Sequence, residues 1–331
     1  MQKIGIIGGG AWGTALAQSF ASSGKDTLLW AREEEVVSSI NSLHENTPFL
    51  PNVKLHEGVR ASGNLNDVTR TSEVLLLVTP AQHLRTTLEK MKPSLTPDKV
   101  LIICAKGVEI ETGSMLSQIA KEVVPESPLG ILTGPTFAEE IGRGLPCAVT
   151  LAMKNKDEAE RIAEVLSSRT FRIYASDDVV GAQIGGAVKN VIAIACGVIE
   201  GKKLGSSARA ALVTRGLAEM GRLASALGAK RETLMGMCGV GDLILTCSSM
   251  QSRNFSLGVA LGQGKTLAEI LASRTAVTEG VHTAKALSVM ARNNAVEMPI
   301  SEAMNKCLSE GAEIDLLIER ILDRPLKAEV V

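Results

Sequence analysis

Aromatic side chains are scarce in this sequence, with one Tyr, two Trp and five Phe among 331 residues. A buried core must therefore be filled by Ala, Val, Ile, Leu and Met. Metal-binding side chains are also few. There are four His, and the six cysteines (Cys104, Cys147, Cys196, Cys238, Cys247 and Cys307) form no C-x-x-C pair. No zinc centre is expected, nor any other metal. The cysteines lie mostly in apolar stretches, as small hydrophobes do, which suits a reducing, cytoplasmic compartment. No excess of one charge exists: 35 Lys plus Arg oppose 36 Asp plus Glu, a net charge of −1. That balance argues against a nucleic-acid binder held by phosphate contacts and against a polybasic membrane-surface protein. No uninterrupted apolar run reaches the ~18 residues of a membrane helix. The first twenty residues are apolar after Lys3, but Gly8, Gly9 and Gly10 break them where a cleaved signal would be continuous. The 31 Gly and 11 Pro are near ordinary usage, so a low-complexity chain is excluded too.

What remains is a globular chain long enough for two domains. The first half alternates short apolar runs with helix-like segments. Strands are expected at Lys3–Gly8, Thr27–Trp30, Val74–Thr79, Val100–Cys104, Leu129–Leu132, Cys147–Leu151 and Phe171–Ile173. Runs such as Val74 to Val78 are continuously apolar, as in a parallel sheet covered on both faces. Strand–helix–strand repetition predicts an α/β domain with a doubly wound, mostly parallel, Rossmann-type sheet. Beyond Asp178 helical patterns take over, at Gln183–Ile199, Ser207–Leu227, Gly280–Arg292, Ser301–Ser309 and Glu313–Leu322, and the run Leu243–Thr246 is ambiguous. The expected division is a dinucleotide-binding domain over 1–178 and an all-helical substrate and catalytic domain over 179–331.

The stretch IGIIGGGAWGTALA carries G-x-G-x-x-G as Gly8, Gly10 and Gly13. The pattern gains meaning from a strand before it and an amphipathic helix after it. Gly8 permits the tight turn, Gly10 lets backbone approach a pyrophosphate, and Gly13 lets helix pack on strand. The helix N-terminus would face the phosphates. Arg32, at the end of the second strand, favours the 2′-phosphate of NADPH; the alternative is a solvated Arg32 with Glu33 reading the NADH ribose.

Chemistry should gather at the carboxyl ends of the strands. Lys106 follows one strand, and Gly134 with Thr136 follows the next. Lys189 is the more telling lysine, because it interrupts GGAVKNVIAIACGVI, a helix apolar on nearly every side. A lysine there must reach the surface or line a cleft. Burial and a nearby Lys106 would depress its pKa and suit it to acid–base work. Asp242, in the glycine turn of GVGDLILTCSSMQSRN, is placed to orient it. Ser252, Arg253 and Asn254 are dense donors before a helical segment, the chemistry of a phosphate grip.

The stretches GGGAWGTALA, AKGVEIETG, TGPTFAEEI, GGAVKNVIAIACG and GVGDLILTC…QSRN, in this order along nearly the whole chain, closely resemble the NAD(P)-dependent glycerol-3-phosphate dehydrogenases of the bacterial cytoplasmic type. The resemblance implies reduction of dihydroxyacetone phosphate to sn-glycerol 3-phosphate, for glycerophospholipid synthesis. It implies Lys189 as catalytic acid–base, Lys106 and Asn190 at the reacting end, and Asp242 paired with Lys189. It further implies substrate contacts from Gly134, Thr136, Ser252, Arg253 and Asn254. Cofactor contacts are implied for Lys106, Trp12, Ala138, Arg253, Val277 and Glu279. Ala11 stands where members of that family often carry serine, so one hydroxyl contact to the pyrophosphate is lost. A homodimer is expected. The competing readings are a 3-hydroxyacid or 6-phosphogluconate type dehydrogenase, and a non-catalytic NAD(P)-sensing module.

Overall fold

The computed structural model describes residues 3–274 and 278–325. Among these, eight strands form one sheet: β1 (Ile4–Ile7), β2 (Thr27–Trp30), β3 (Val59–Ser62), β4 (Val74–Leu77), β5 (Val100–Ile103), β6 (Leu129–Thr133), β7 (Cys147–Met153) and β8 (Phe171–Ser176). Their order is β3-β2-β1-β4-β5-β6-β7-β8. Every pairing is parallel except that of β6 with β7. The strand directions thus agree with a mostly parallel, doubly wound sheet. β1, β4 and β5 are buried at every position, which is why they read as unbroken apolar runs.

Seven strands were legible in the sequence; β3 was not. Its residues VRAS alternate between buried and more exposed positions on the sheet's edge. An edge strand needs only one apolar face, so its pattern is short and weak.

β1 lies between β2 and β4. The chain therefore crosses over in opposite directions on either side of β1, and a crevice opens at the carboxyl end of β1 and β4. The turn Gly8–Gly10 occupies that point, followed by the helix Ala11–Ser22, which buries Gly13 to Ala17, Phe20 and Ala21.

After β8, Asp178 caps the helix Val179–Gly201 by accepting from the Gly181 N–H at 2.8 Å. This core helix is buried at every residue from Gly181 to Val198. It is long and apolar enough to cross a membrane by length and hydropathy, yet its apolar window is 94% buried inside the protein. Neighbouring helices supply the cover, among them Ser206–Ala226, Asp242–Ser248, Arg253–Gly262 and Glu279–Asn293. The ambiguous run Leu243–Thr246 is helical, within Asp242–Ser248.

Small residues set how closely these helices approach. A Cβ at Gly197 would lie 2.1 Å from the Phe255 carbonyl oxygen, and one at Gly258 would lie 2.0 Å from that of Ile194. Backbone thus rests on backbone, and Asn254 is drawn down beside Asn190. At the other end, a Cβ on Gly185 would lie 2.2 Å from the Cys238 carbonyl oxygen. That contact seats the irregular turn Met237–Gly241, which presents Asp242.

Candidate active site

Three chain segments far apart in sequence meet at one carboxylate. Asp242 is fully buried. Its Oδ2 accepts from Lys106 Nζ at 2.7 Å, and its Oδ1 accepts from Lys189 Nζ. Lys106 Nζ also donates to the Gly134 carbonyl at 3.1 Å, which ties it to the carboxyl end of β6. Lys189 Nζ also donates to Thr246 Oγ1 at 2.8 Å. Each ammonium has three N–H donors, and two are used in each case. One donor per lysine remains for a ligand.

Lys189 is 5% exposed. Burial lowers its pKa to about 8, and Lys106 adds to that lowering while Asp242 opposes it. Two cations sharing one carboxylate leave an excess of positive charge, a setting that favours an anion or a developing alkoxide.

A chain of amides fixes a second wall. The Gly280 N–H donates to Asn254 Oδ1 at 3.1 Å, and Asn254 Nδ2 donates to Asn190 Oδ1 at 2.9 Å. A backbone N–H can only donate, so both side-chain amides are oriented by it. Asn190 consequently turns its NH₂ away from Asn254. A Cβ at Gly280 would lie 2.5 Å from Asn254 Oδ1, so glycine is what admits the chain of bonds.

Ser252 caps the helix Arg253–Gly262, accepting from the Phe255 N–H at 3.2 Å. Arg253 occupies the first turn, and Arg274 Nη1 donates to the Arg253 carbonyl at 2.7 Å. Burial raises the pKa of Glu279, while Arg253, Lys106, Lys189 and the Ala81 N–H pull it down. The Glu279 carboxyl therefore shares this cationic neighbourhood.

On the other side of the crevice is the glycine turn. A Cβ on Gly13 would lie 1.9 Å from the Gly8 carbonyl oxygen, whereas one on Gly10 would meet nothing within 4 Å. Gly13 answers to packing, and Gly10 opens onto free space. The helix that follows has no side-chain cap and no acidic residue in its first turn. Its N–H groups and positive dipole end suit a dinucleotide pyrophosphate. Ala11 and Trp12 in its first turn are half-buried.

The structure brings Lys106, Gly134, Lys189 and Asp242 into direct contact, and joins Asn190 to Asn254. Thr136 is close by, its Oγ1 donating to the Gly134 carbonyl at 3.3 Å, and Ala138 opens the next helix. Arg32 stands apart: its side chain is 78% exposed and forks onto Glu33 Oε1 through Nε and Nη2. Val277 lies outside the described residues. Thr246 and Gly280 were missed from the sequence. Thr246 could have been found once 242–248 was read as a helix, since it lies one turn after Asp242. Gly280 carries no local signal, because its role depends on Asn254.

A glycine turn at the switch point, with Lys189 of the helical lobe and Lys106 of the loop after β5 sharing one buried carboxylate, has the make-up of a nicotinamide-nucleotide oxidoreductase. The family models of the NAD-dependent glycerol-3-phosphate dehydrogenase N-terminus and C-terminus match residues 3–159 and 178–319. A glycerol-3-phosphate dehydrogenase [NAD(P)+] from Parvibaculum lavamentivorans is 51% identical over 328 residues, 99% of this chain and 98% of its own. The enzyme of that name from Rhodospirillum rubrum is 55% identical over 329 residues, 99% of this chain and 94% of its own. The crystal structure of glycerol-3-phosphate dehydrogenase from Coxiella burnetii superposes with a TM-score of 0.93 at 35% identity, covering 98% of this chain and 99% of that one. The chain belongs to the NAD(P)-dependent glycerol-3-phosphate dehydrogenase family.

Proposed function

We propose that this chain reduces dihydroxyacetone phosphate to sn-glycerol 3-phosphate, with Lys189 as the acid. The observation that carries the assignment is the Lys189 amine, buried on Asp242 and sharing it with Lys106 at the carboxyl end of the sheet, where the glycine turn also lies. A bound reduced nicotinamide supplies the hydride. Lys189 donates its remaining proton to the carbonyl oxygen as that carbon is reduced, and the neutral amine takes a proton back from solvent. Lys106 directs its remaining N–H at the same oxygen and lowers the cost of negative charge there. Asp242 and Thr246 hold the Lys189 amine in one place. The Asn190 amide steadies the neighbouring hydroxyl. Ser252, Arg253 and Asn254 grip the phosphate, with Gly134 and Thr136 closing the opposite side.

Gly8, Gly10, Ala11, Trp12 and Gly13 hold the coenzyme from the turn, joined by Lys106, Ala138, Arg253, Val277 and Glu279. Backbone donors carry the pyrophosphate, so Ala11 weakens binding without abolishing it. NADPH is the preferred coenzyme. Arg32 supports this choice, because it is exposed and can exchange the Glu33 carboxylate for a 2′-phosphate. The dinucleotide lobe spans 1–178 and the catalytic lobe 179–331. The protein works in the cytoplasm as a homodimer. Six free thiols favour a reducing compartment, and the apolar helical lobe favours self-association.

The test is coenzyme oxidation with dihydroxyacetone phosphate, 6-phosphogluconate and unphosphorylated 2-oxoacids in parallel. Turnover confined to dihydroxyacetone phosphate is expected. Faster turnover of another substrate would overturn the assignment, and coenzyme binding with no turnover would leave only a sensor.

A further inference from the structure

Lys106 is held directly by two groups, but the loop that carries it is held by a third set remote from the chemistry. After β5 the chain makes a narrow excursion, residues 105–115, closed by an isolated bridge between Val108 and Met115. Its first turn places Gly107 at φ +150°, where a Cβ would lie 3.1 Å from Ala81 Cβ. Glu109, two residues further, is 7% exposed. Its carboxylate accepts from Arg85 Nε at 3.0 Å and Arg85 Nη2 at 2.9 Å, and from Thr112 Oγ1 at 2.6 Å. Arg85 Nη1 meanwhile reaches Glu122 at 2.8 Å. One turn earlier on the same helical segment, Gln82 pairs with the loop backbone. Its Nε2 donates to the Val108 carbonyl at 2.8 Å, and its Oε1 accepts from the Ile110 N–H at 3.0 Å.

An ion pair partly open to water, as Arg85–Glu109 is, adds little net stability. What a bidentate arginine–carboxylate pair does supply is geometry, since the planar fork fits one arrangement. This one grips the loop three residues from Lys106, a distance over which a lysine amine moves whenever its backbone tilts. From these contacts we infer that Arg85 and Glu109, with Gln82, are positioning residues that set where the Lys106 amine stands against Asp242. The inference rests on the reading that Lys106 takes part in the reaction.

Loosening the brace withdraws Lys106 from Asp242, and with it the like charge that helps to depress the Lys189 pKa. Two effects follow together. Turnover falls, and the alkaline limb of kcat for reduction moves to higher pH as Lys189 becomes more basic. A loss of fold alone would produce the first without the second.

The experiment compares Glu109→Gln, Arg85→Met, the double variant and Lys106→Ala, with Glu111→Gln as an exposed control on the same loop. Each is measured for kcat across pH, KM for dihydroxyacetone phosphate, NADPH affinity by fluorescence and thermal unfolding. We expect the brace variants to lose about tenfold in kcat, within the range that misplacing a catalytic group costs, with the alkaline limb shifted upward and NADPH affinity lowered no further than by Lys106→Ala. The double variant should lose no more than either single one, since both break the same contact. Glu111→Gln should match the parent. If Lys106→Ala depresses turnover while Glu109→Gln keeps the parental kcat and pH profile, the brace has no positioning role. If Lys106→Ala itself leaves turnover intact, Lys106 leaves the mechanism, and the brace proposal falls with it.

Discussion

The two walls of the crevice are built from opposite materials. The wall we assign to the nucleotide is a continuous stretch, Gly8 to Gly13, that offers backbone N–H groups, bare glycines and an uncapped helix end. The wall we assign to the chemistry is assembled from Lys106, Lys189 and Asp242, Lys189 standing 53 positions and Lys106 136 positions from Asp242 in the sequence. It offers ionised side chains, Lys189 and Asp242 buried and Lys106 half-buried. A nucleotide arrives with its own charge, so neutral dipoles are enough to hold it. A carbonyl acquires charge only in the transition state, so groups aimed at it must be charged and preorganised beforehand. The difference teaches that binding and chemistry should fail separately at the residues that serve only one of them.

Lys189→Ala is the strongest way to break that separation. Turnover should drop at least ~10²-fold, the scale of lost general acid catalysis. NADPH affinity should survive, since the buried Asp242 carboxylate keeps Lys106 as its partner. Near-parental turnover would remove Lys189 from its role. In the parent, with an amine pKa of about 8, reduction should decline as pH rises through that value while oxidation of glycerol 3-phosphate gains. Steady-state rates in both directions check it. A common optimum for both would mean that Lys189 is not the titrating group.

The converse variant is Gly10→Ala. The backbone there has φ −72°, which alanine accepts, and the added methyl meets nothing in the protein. The fold should be unaffected. The methyl would stand where the pyrophosphate passes, so coenzyme affinity should fall about tenfold, the cost of ~1.4 kcal/mol of crowding. At saturating coenzyme kcat should recover. Unchanged affinity would mean the turn holds no dinucleotide.

The same contrast explains what the sequence discloses. The strand–turn–helix at Gly8–Gly13 was legible because it is local: a strand, three spaced glycines and an amphipathic helix lie within twenty residues. Lys189 was legible for another reason, as a charge out of place on an apolar helix. Its surroundings were harder. The expected pairing with Asp242 is present, but Thr246 stayed hidden while residues 243–246 could be read as strand or helix. Gly280 was invisible, since a glycine that admits a hydrogen bond to Asn254 has no periodicity to betray it. β3 was lost to its edge position, where half the apolar signal is unnecessary.

Arg32→Ala sharpens the comparison at the mouth of the nucleotide wall. This arginine is exposed and already paired with Glu33, so its gain from a 2′-phosphate is the difference between two surface contacts. Surface pairs contribute ~0–1 kcal/mol. The ratio of kcat/KM for NADPH over NADH should fall only a few-fold, with NADH use unchanged. A parent that uses both coenzymes equally would already contradict the NADPH assignment.

The smallest expected effect separates catalytic burial of charge from structural burial. Glu219, 1% exposed, accepts from the Ile300 N–H at 2.5 Å, the Ser301 N–H at 3.1 Å and Ser301 Oγ at 2.9 Å, at the start of the helix Pro299–Glu310. Burial raises its pKa from 4.5 to about 7, against the pull of these donors and of Arg222. The folded state then keeps a proton that the unfolded chain has released. Its stabilising contribution is complete below pH 4.5 and is lost as pH rises through about 7. For Lys189 the shift is downward, from 10.5 to about 8, so its contribution changes in the opposite sense, stability recovering as pH rises between those values. The two windows do not overlap, so a melting-temperature profile resolves them. Glu219→Gln should flatten the fall between pH 4.5 and about 7 and leave kcat as it was, whereas Lys189→Ala should alter only the alkaline branch. A Glu219→Gln protein with the parental acid-side slope would show that this carboxyl is ionised when buried, its three donors outweighing the loss of water.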